Sequence, residues 1–570
     1  MLLPEQKSLQ NKKQQAGLRI IPLGGMEEVG RNMTVFEYGK DIIILDMGIQ
    51  FPEEDMPGID YIIPNISYLN GKEQNIKAVI FSHAHLDHIG AAPLLLPKLG
   101  FPTVVGRDLT IALLKKRMED FERGSSRYLQ TITIKSINER FSFGKFKVGF
   151  FNVEHSIMDA IGVIINTAQG TIIHPGDWTM EKDPVERTPL TYEHLANLPK
   201  PKILMLESLG AVNTSSALVS EKEMYKNLEK LILQAKGKVI ISTFASQIRR
   251  IGHILDYARE IGKKVALDGY SMKTNVEIAR ELGYIKAGKD VLVPMSEINK
   301  YPDEKIIIIC TGAQGEGRAV LPRIVSGEHR FIKIRKNDTV IFSSSVIPGN
   351  ERTIQRLKDN LYRKCDNVIH SDIMDVHTSG HCNAQNIKEM LRQVQPDFFI
   401  PVYANHYILK EAAKLADSIG FPPQNVFILD NGSILEFKDK TPRLLNKKAD
   451  TSYVFVDGLG VGDVGEVVLR DRQALSQDGI FVIIAVIDRR QGKVKGSPDI
   501  ISRGFIYLRE SKELLKEVRK RVIAIADKAT LPNTAVNTDY IKEEIKNKIG
   551  EFLFLKTERR PMVLPVVIEV

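Results

Sequence analysis

Ala78-Val-Ile-Phe-Ser-His83-Ala-His85-Leu-Asp87-His88-Ile-Gly90 decides how this chain is read. A short apolar run leads into it, and the helical pattern of Ala91–Lys98 leads out. Three of the chain's 12 histidines fall within six residues, with an aspartate among them. Side chains alternate along an extended segment, so His83 and His85 face the same side. Asp87 and His88 follow on the next turn. One loop thus presents two imidazoles to one point and a carboxylate–imidazole pair to a second point close by. Imidazole nitrogen and carboxylate oxygen suit zinc and also manganese. The bland alternative is a His-rich surface loop. Strand-end placement and tight spacing both favour a ligand cluster.

Neither point is complete from this loop. His155, in Phe151-Asn-Val-Glu-His-Ser-Ile157, follows an apolar strand pattern. Asp177, in Ile172-Ile-His-Pro-Gly-Asp-Trp178, follows another. Alone, each reads as structural. Beside the first cluster, both become ligand candidates. His174 is taken as structural.

Further out, β-branched runs punctuated by Gly, Pro and Asn predict strands at Leu18–Pro22, Met33–Tyr38, Ile42–Leu45, Ala78–Phe81, Thr131–Ile134, Phe146–Phe151, Ile161–Ile165 and Gly170–Ile173. With helices at Ala91–Lys98 and Leu109–Arg123, they suggest two sheets covered by helices, an α/β sandwich. From about residue 220 helices and strands alternate, the pattern of a parallel α/β domain: Glu221–Ala235, Lys238–Ser242, Gln247–Ile261, Lys264–Asp268, Met272–Leu282, Ile306–Cys310. A strand at Pro396–Ala404 and a helix at Tyr407–Gly420 follow. The polar stretch Lys438–Ser452 reads as a linker. After it, strand-like Val454–Val456 and Gly465–Leu469, the strand Ile480–Ile487, helices Ser511–Ala526 and Thr538–Lys548, and the strand Met562–Glu569 make a compact α+β domain.

The 570 residues amount to about four domains at roughly 150 each. At 43% hydrophobic and 26% charged, the composition excludes disorder, collagen and coiled coil for the bulk of the chain. Cys310, Cys365 and Cys382 are too few for a disulfide framework and lack the CxxC spacing of a thiolate zinc site. The net charge of +9 permits an anionic partner without demanding one. Residues 1–16 lack the apolar segment of a secretory signal and read as a disordered leader. No run of about 18 apolar residues predicts a membrane span. With so few cysteines, the cytoplasm is the expected compartment.

The pattern His83-x-His85-x-Asp87-His88, then His155, then Asp177 resembles the metallo-β-lactamase superfamily of dinuclear hydrolases. The resemblance implies that His83, His85 and His155 hold one metal, that Asp87 and His88 hold the other, and that Asp177 bridges them. Asp46 would then be the acid that orients the histidines from behind. The chain runs on for nearly 400 residues beyond Asp177, which narrows the resemblance to the β-CASP nucleases and, within them, the ribonuclease J family. The matching segments include Leu23-Gly-Gly-Met-Glu-Glu-Val-Gly-Arg-Asn32, Phe51-Pro-Glu-Glu-Asp-Met-Pro-Gly-Ile-Asp60, Thr243-Phe-Ala-Ser-Gln247, Cys310-Thr-Gly-Ala-Gln-Gly-Glu316, Ile341-Phe-Ser-Ser-Ser-Val-Ile-Pro-Gly-Asn-Glu351 and His377-Thr-Ser-Gly-His381. The implied fold is a metallo-β-lactamase αββα sandwich (17–215 and, with a linker, 376–450), an inserted β-CASP parallel α/β domain (216–375) and a C-terminal α+β domain (451–570).

By the same resemblance, Glu207 supports the metal ligands and His381 reaches the scissile phosphate. Together with Asp177 and Asp87 they form the expected catalytic set. The glycine-rich Thr311–Arg318 lacks the ending of a P-loop and reads as a turn. One motif departs from the family. A histidine on a Pro-Val-His-Gly-Glu pattern completes the second metal there, whereas this chain has Pro401-Val-Tyr403-Ala-Asn-His406. Three readings stay open: His406 swings in, Tyr403 ligates as a phenolate, or Asp87, His88 and Asp177 act with water alone. His406 is preferred.

The implied activity is ribonuclease action with two Zn2+ per chain (Mn2+ or Mg2+ as alternatives), serving RNA maturation and decay. Single-stranded RNA carrying a 5′ monophosphate is the expected substrate. Thr378, Ser379 and Gly380 would receive that phosphate, with Ser345 and Ser246 as further candidates. Both 5′→3′ exonuclease and endonuclease action are implied. Arg249-Arg250 would track the RNA backbone, or else form a solvated helix face. The C-terminal domain would promote a homodimer or homotetramer. Competing readings are a β-CASP DNA nuclease, a catalytically weak RNA-binding scaffold and a small-ester hydrolase.

Overall fold

A computed structural model describes residues 16–570, apart from 182, 185–187, 215–218, 289, 317–318, 348, 508–509 and 533. The rest of the leader (1–15), the boundary at 215/216 and the end of the glycine-rich turn lie outside the described residues. The chain divides into two compact units, 1–50 with 63–453, and 51–62 with 454–570.

The first unit contains two facing sheets. One has eight strands in the order Thr441–Leu444, Leu435–Lys438, Leu18–Gly24, Met33–Tyr38, Asp41–Leu45, Ile76–Ile80, Val104–Gly106, Thr131–Thr133. The other has six, in the order Phe398–Val402, Lys202–Glu207, Gly170–His174, Ile161–Thr167, Phe146–Asn152, Phe141–Phe143. Their inner faces meet through Leu18, Ile20, Phe36, Ile43, Ile80, Phe146, Val163, Ile203 and Ile400, all almost wholly buried. Helices Ala384–Val394 and His406–Asp417 lay apolar faces on the outer side of the six-stranded sheet. The central strands are apolar along their whole length because both faces are covered.

A five-stranded, wholly parallel sheet follows in the order Lys264–Asp268, Ile306–Cys310, Val239–Ser242, Thr339–Phe342, Asn367–Ile369. Its central Ile-Ile-Ile-Ile-Cys strand is fully buried, as a strand between two helical layers must be.

Three sequence expectations are corrected here. Part of the supposed linker Lys438–Ser452 is ordered: Thr441–Leu444 pairs with Leu435–Lys438 in a hairpin that extends the eight-stranded sheet. Gly465–Leu469 is not a strand but the start of helix Glu466–Asp478. The Val467-Val468 pair suggests β structure, but the good helix formers that follow it decide the outcome. Phe51–Ile62 groups with the C-terminal unit rather than with its sequence neighbours. Asp60 N–H donates to the Val456 carbonyl at 2.9 Å, and Ile59 and Ile62 bury against Phe455 and Val464.

In the C-terminal unit, Ile480–Asp488 pairs with Asp499–Arg503 on one side and Met562–Glu569 on the other. Phe481, Ile483, Ala485 and Ile487 bury against helices Lys512–Ala529 and Thr538–Thr557.

Candidate metal centre

Six strand ends define one rim of the sandwich. Asp46 follows Asp41–Leu45, the His83–His88 loop follows Ile76–Ile80, and His155 follows Phe146–Asn152. Asp177 follows Gly170–His174, Glu207 ends Lys202–Glu207, and Tyr403 follows Phe398–Val402.

Three imidazoles converge first. His83 Nε2 stands 3.1 Å from His85 Nδ1, which stands 3.0 Å from His155 Nε2. With Asp177 they form a ligand-competent group. The other nitrogen of two of these rings is spoken for. Ser82 Oγ–H donates to Asp46, so the Ser82 oxygen accepts from His83 Nδ1–H at 3.0 Å. His155 Nδ1–H donates to the Gly380 carbonyl at 2.7 Å. Both rings are thereby fixed with Nε2 unprotonated and facing the centre. Burial and the neighbouring rings hold His83 and His85 well below the usual imidazole range, and burial lowers His155 to about 4. Three neutral imidazoles with lone pairs turned on one point suit a cation there.

His88 builds the second group with Asp87 and Asp177. Its Nδ1–H donates to Asp46 Oδ2 at 2.8 Å, which turns Nε2 toward Asp177 Oδ1 at 3.3 Å and Asp87 Oδ2 at 3.5 Å. Burial opposes the charged imidazole, but Asp177, Asp87 and Asp46 outweigh it and hold its pKa well above the ordinary value. The carboxylates thus attract whatever cation is present. Asp177 faces both groups: Oδ1 turns to His88, and Oδ2 lies 3.8 Å from both His83 and His155 Nε2. The donor set therefore fits two metal ions sharing one carboxylate.

Asp46 is fully buried and in the left-handed region, φ 62°. Its Oδ1 accepts from Ser82 N–H at 2.8 Å, while Oδ2 accepts from Ser82 Oγ and His88 Nδ1. One carboxylate thus fixes a ring in each group. Asp46→Ala is expected to weaken metal binding about 10–100-fold, read by calorimetric titration of the stripped protein.

His381 stands at the open side, 37% exposed, with Nδ1 3.9 Å from Asp177 Oδ2 and 3.8 Å from Glu207 Oε1. Burial works against its charged form, but Glu207 and Asp177 raise its pKa to about 9. Glu207 is buried; its Oε1 accepts from Leu209 N–H at 2.8 Å.

The structure does not bring His406 to this centre. It begins helix His406–Asp417, about half exposed, with Nδ1 3.6 Å from Glu27 and 3.8 Å from Asp430. Tyr403 is buried, with its ring centroid 5.6 Å from that of His88 and 5.1 Å from that of His174. Burial, then Asp46 and Asp177, push its pKa well above the usual phenol value. His174 is buried and neutral, its Nδ1 accepting from Gly176 N–H.

A cleft beside His155 is lined by Thr378, Ser379 and Gly380 together with Gln247, Arg249 and Arg250. Ser345 and Ser246 are not among its lining residues. Gly380 cannot carry a side chain: a Cβ there would meet Ser156 Cβ at 2.5 Å. Arg250 is no solvated face. It is 3% exposed and donates to Ser343 O at 2.7 Å and His377 Nδ1 at 3.0 Å. Through His377 it holds the segment that carries Gly380 and His381. Arg249 pairs with Glu221 at 3.2 Å.

Two supporting groups carry no motif of their own in the sequence: Ser82, which directly precedes His83 and fixes its ring, and the Gly380 carbonyl, which fixes that of His155.

Similarity to known proteins extends over 96–98% of the chain. Residues 26–191 match the metallo-beta-lactamase superfamily, 236–361 "Ribonuclease J, beta-CASP domain", and 467–570 "Ribonuclease J C-terminal domain". "Ribonuclease J 1" of Streptococcus pyogenes serotype M3 is 37% identical over 550 residues, 96% of this chain and 97% of that one. "Ribonuclease J2" of Bacillus subtilis is 34% identical over 98% of this chain and 100% of that one. A crystal structure of a protein of unknown function from Enterococcus faecalis V583 covers 74% of this chain and 100% of its own. Its TM-score is 0.51 at 14% identity, a likeness of fold.

Proposed function

This chain belongs to the ribonuclease J family of metal-dependent nucleases, and from that premise we propose that it hydrolyses single-stranded RNA from a 5′-monophosphorylated end, with endonuclease action in addition, in RNA maturation and decay. The observation that carries the reading is the pair of donor groups sharing Asp177, with His381 standing 3.9 Å from that carboxylate.

His83, His85 and His155 with Asp177 would hold one ion, and Asp87, His88 and Asp177 the other. Three imidazoles and a carboxylate suit zinc in the first position, and the oxygen-richer second position also admits manganese or magnesium. Two bound cations would supply a hydroxide nucleophile near neutral pH and neutralise the charge that makes a phosphodiester inert.

The chain's own groups do the rest. His381, kept charged by Glu207 and Asp177, faces the phosphate and hands a proton to the departing 3′ oxygen. Glu207, 3.8 Å from that imidazole, favours its charged form. The downstream fragment keeps a 5′ phosphate, and no step uses the 2′-OH. Thr378, Ser379 and Gly380 receive the terminal 5′ phosphate in the cleft beside His155. Endonuclease action requires the RNA to thread past this pocket or the domains to open.

The C-terminal unit supports assembly into a homodimer or homotetramer. The sheet face turned from its helices carries Ile501, Val482 and Leu564 in one register row, with Ile501 43% and Leu564 47% exposed. Such a patch suits a second copy.

The test is incubation of the metal-loaded chain with 3′-labelled RNA bearing a 5′ monophosphate, its triphosphorylated twin and DNA of the same sequence. Mononucleotide release favouring the monophosphate is expected. Equal rates on both RNAs would refute the end preference. Cleavage of DNA alone would move the activity to DNA, and binding of RNA without cleavage would reduce the chain to a scaffold.

A further inference from the structure

We propose that the Asn32 side-chain oxygen is a ligand of the second metal position, from which His406 is turned away. The inference rests on the two-metal reading above and adds a residue to it.

Asn32 directly precedes the strand Met33–Tyr38, and the backbone pins it to the loop it would serve. Its N–H donates to the Asp87 carbonyl at 3.1 Å, and its carbonyl accepts from Gly48 N–H at 3.0 Å. Gly48 permits this approach, since a Cβ there would fall 1.6 Å from the Asp87 oxygen. The side chain is 2% exposed. Its amide lies among the donors of the second group: Nδ2 is 2.9 Å from His88 Nε2 and 3.4 Å from Asp87 Oδ2. His88 Nε2 is the nitrogen left for a metal, because Nδ1 is bound to Asp46. An ion bound to that Nε2 would sit about 2 Å from it. The Asn32 amide is therefore within reach of any ion held there.

Which end of the amide meets the ion follows from charge. An N–H group facing a cation is repelled, whereas a carbonyl oxygen is an ordinary ligand. A half-turn about the last side-chain bond exchanges the two ends without moving anything else. The present orientation leaves Oδ1 buried with no hydrogen-bond partner among the described residues; turning the amide moves Nδ2 into that place, a cost that the bond from the ion to Oδ1 outweighs. With an ion bound, the turned amide gives that oxygen a partner. The second position then has four protein ligands, Asn32, Asp87, His88 and Asp177, matching the four of the first. Of the competing donors, His406 faces Glu27 and Asp430 instead.

The test reads metal binding, not RNA cleavage. Chelator-stripped full-length protein is titrated with Mn2+ and with Zn2+ by calorimetry, and bound metal is counted by atomic spectrometry. The wild type is expected to bind two ions per chain. Asn32→Ala should loosen one of them by at least about tenfold and leave the other unchanged. Asn32→Asp should keep both at least as tight, because it offers an oxygen at either end and cannot donate. It also controls for folding, since the backbone bonds of residue 32 persist in both variants. Tyr403→Phe should change neither site. The proposal is overturned if Asn32→Asp loosens the site as much as Asn32→Ala, which would make the amide a donor. It is also overturned if Asn32→Ala binds both ions normally, or if Tyr403→Phe loosens one. Two ions bound as expected with intact RNA would sink the ribonuclease reading and leave the ligand assignment standing.

Discussion

Asp177→Asn is expected to lower RNA hydrolysis by about 10³-fold or more, roughly 4 kcal/mol of transition-state stabilisation, and to leave less than one metal ion per chain. The substitution keeps the shape and removes the charge. Among the described residues Asp177 is the one carboxylate in both donor groups, with Oδ1 toward His88 and Oδ2 toward His83 and His155. An amide puts an N–H donor on one of those sides. It also withdraws the largest carboxylate influence on His88, whose pKa then falls. Metal counted by atomic spectrometry and single-turnover cleavage should fall together. Normal metal content with normal cleavage would remove Asp177 from the centre.

His381→Ala should cost about 10²–10⁴-fold in the chemical step while leaving both metals bound. His381 lies outside both metal-competent groups and is more than a third exposed. Its charge is held by Glu207, so Glu207→Gln should show a smaller loss in the same direction, with metal content again unchanged. Single-turnover rates on RNAs with a good and a poor leaving group separate proton donation from binding. The His381 variant should lose most on the poor leaving group. An equal loss on both substrates would contradict a proton-donor role.

Much of this centre is legible in the chain because its densest part is contiguous. His83, His85, Asp87 and His88 share one loop, and alternation alone sorts the first two onto one side. His155 and Asp177 are legible only as strand-end residues beside that loop. The supporting groups are harder to see. The Gly380 carbonyl that fixes His155 is backbone, and no residue type announces it. Asn32 lies 55 residues from Asp87, and its role depends on a backbone bridge that spacing does not encode. His406 misleads for a local reason: three residues from Tyr403, it begins a helix whose direction carries its imidazole to Glu27 and Asp430. Arg250, half of a basic pair, reads as surface, yet its helix turns it inward to Ser343 and His377. The same limit applies to the fold. Most strands of the two sheets follow from β-branched runs; the short Val104–Gly106 and Phe141–Phe143 and the hairpin of Leu435–Lys438 with Thr441–Leu444 do not, and the pairing of Phe51–Ile62 with the C-terminal unit depends on contacts nearly 400 residues apart.

The central claim is that the His/Asp cluster holds the ions that make this chain a ribonuclease. The most direct test is the cleavage rate of 5′-monophosphorylated RNA by chelator-stripped protein, with metal restored one equivalent at a time. The expected result is no cleavage in the stripped protein, recovery that completes near two equivalents per chain, and products carrying 5′ phosphates. Undiminished cleavage by protein shown to be metal-free, or no cleavage with both ions bound, would contradict the account.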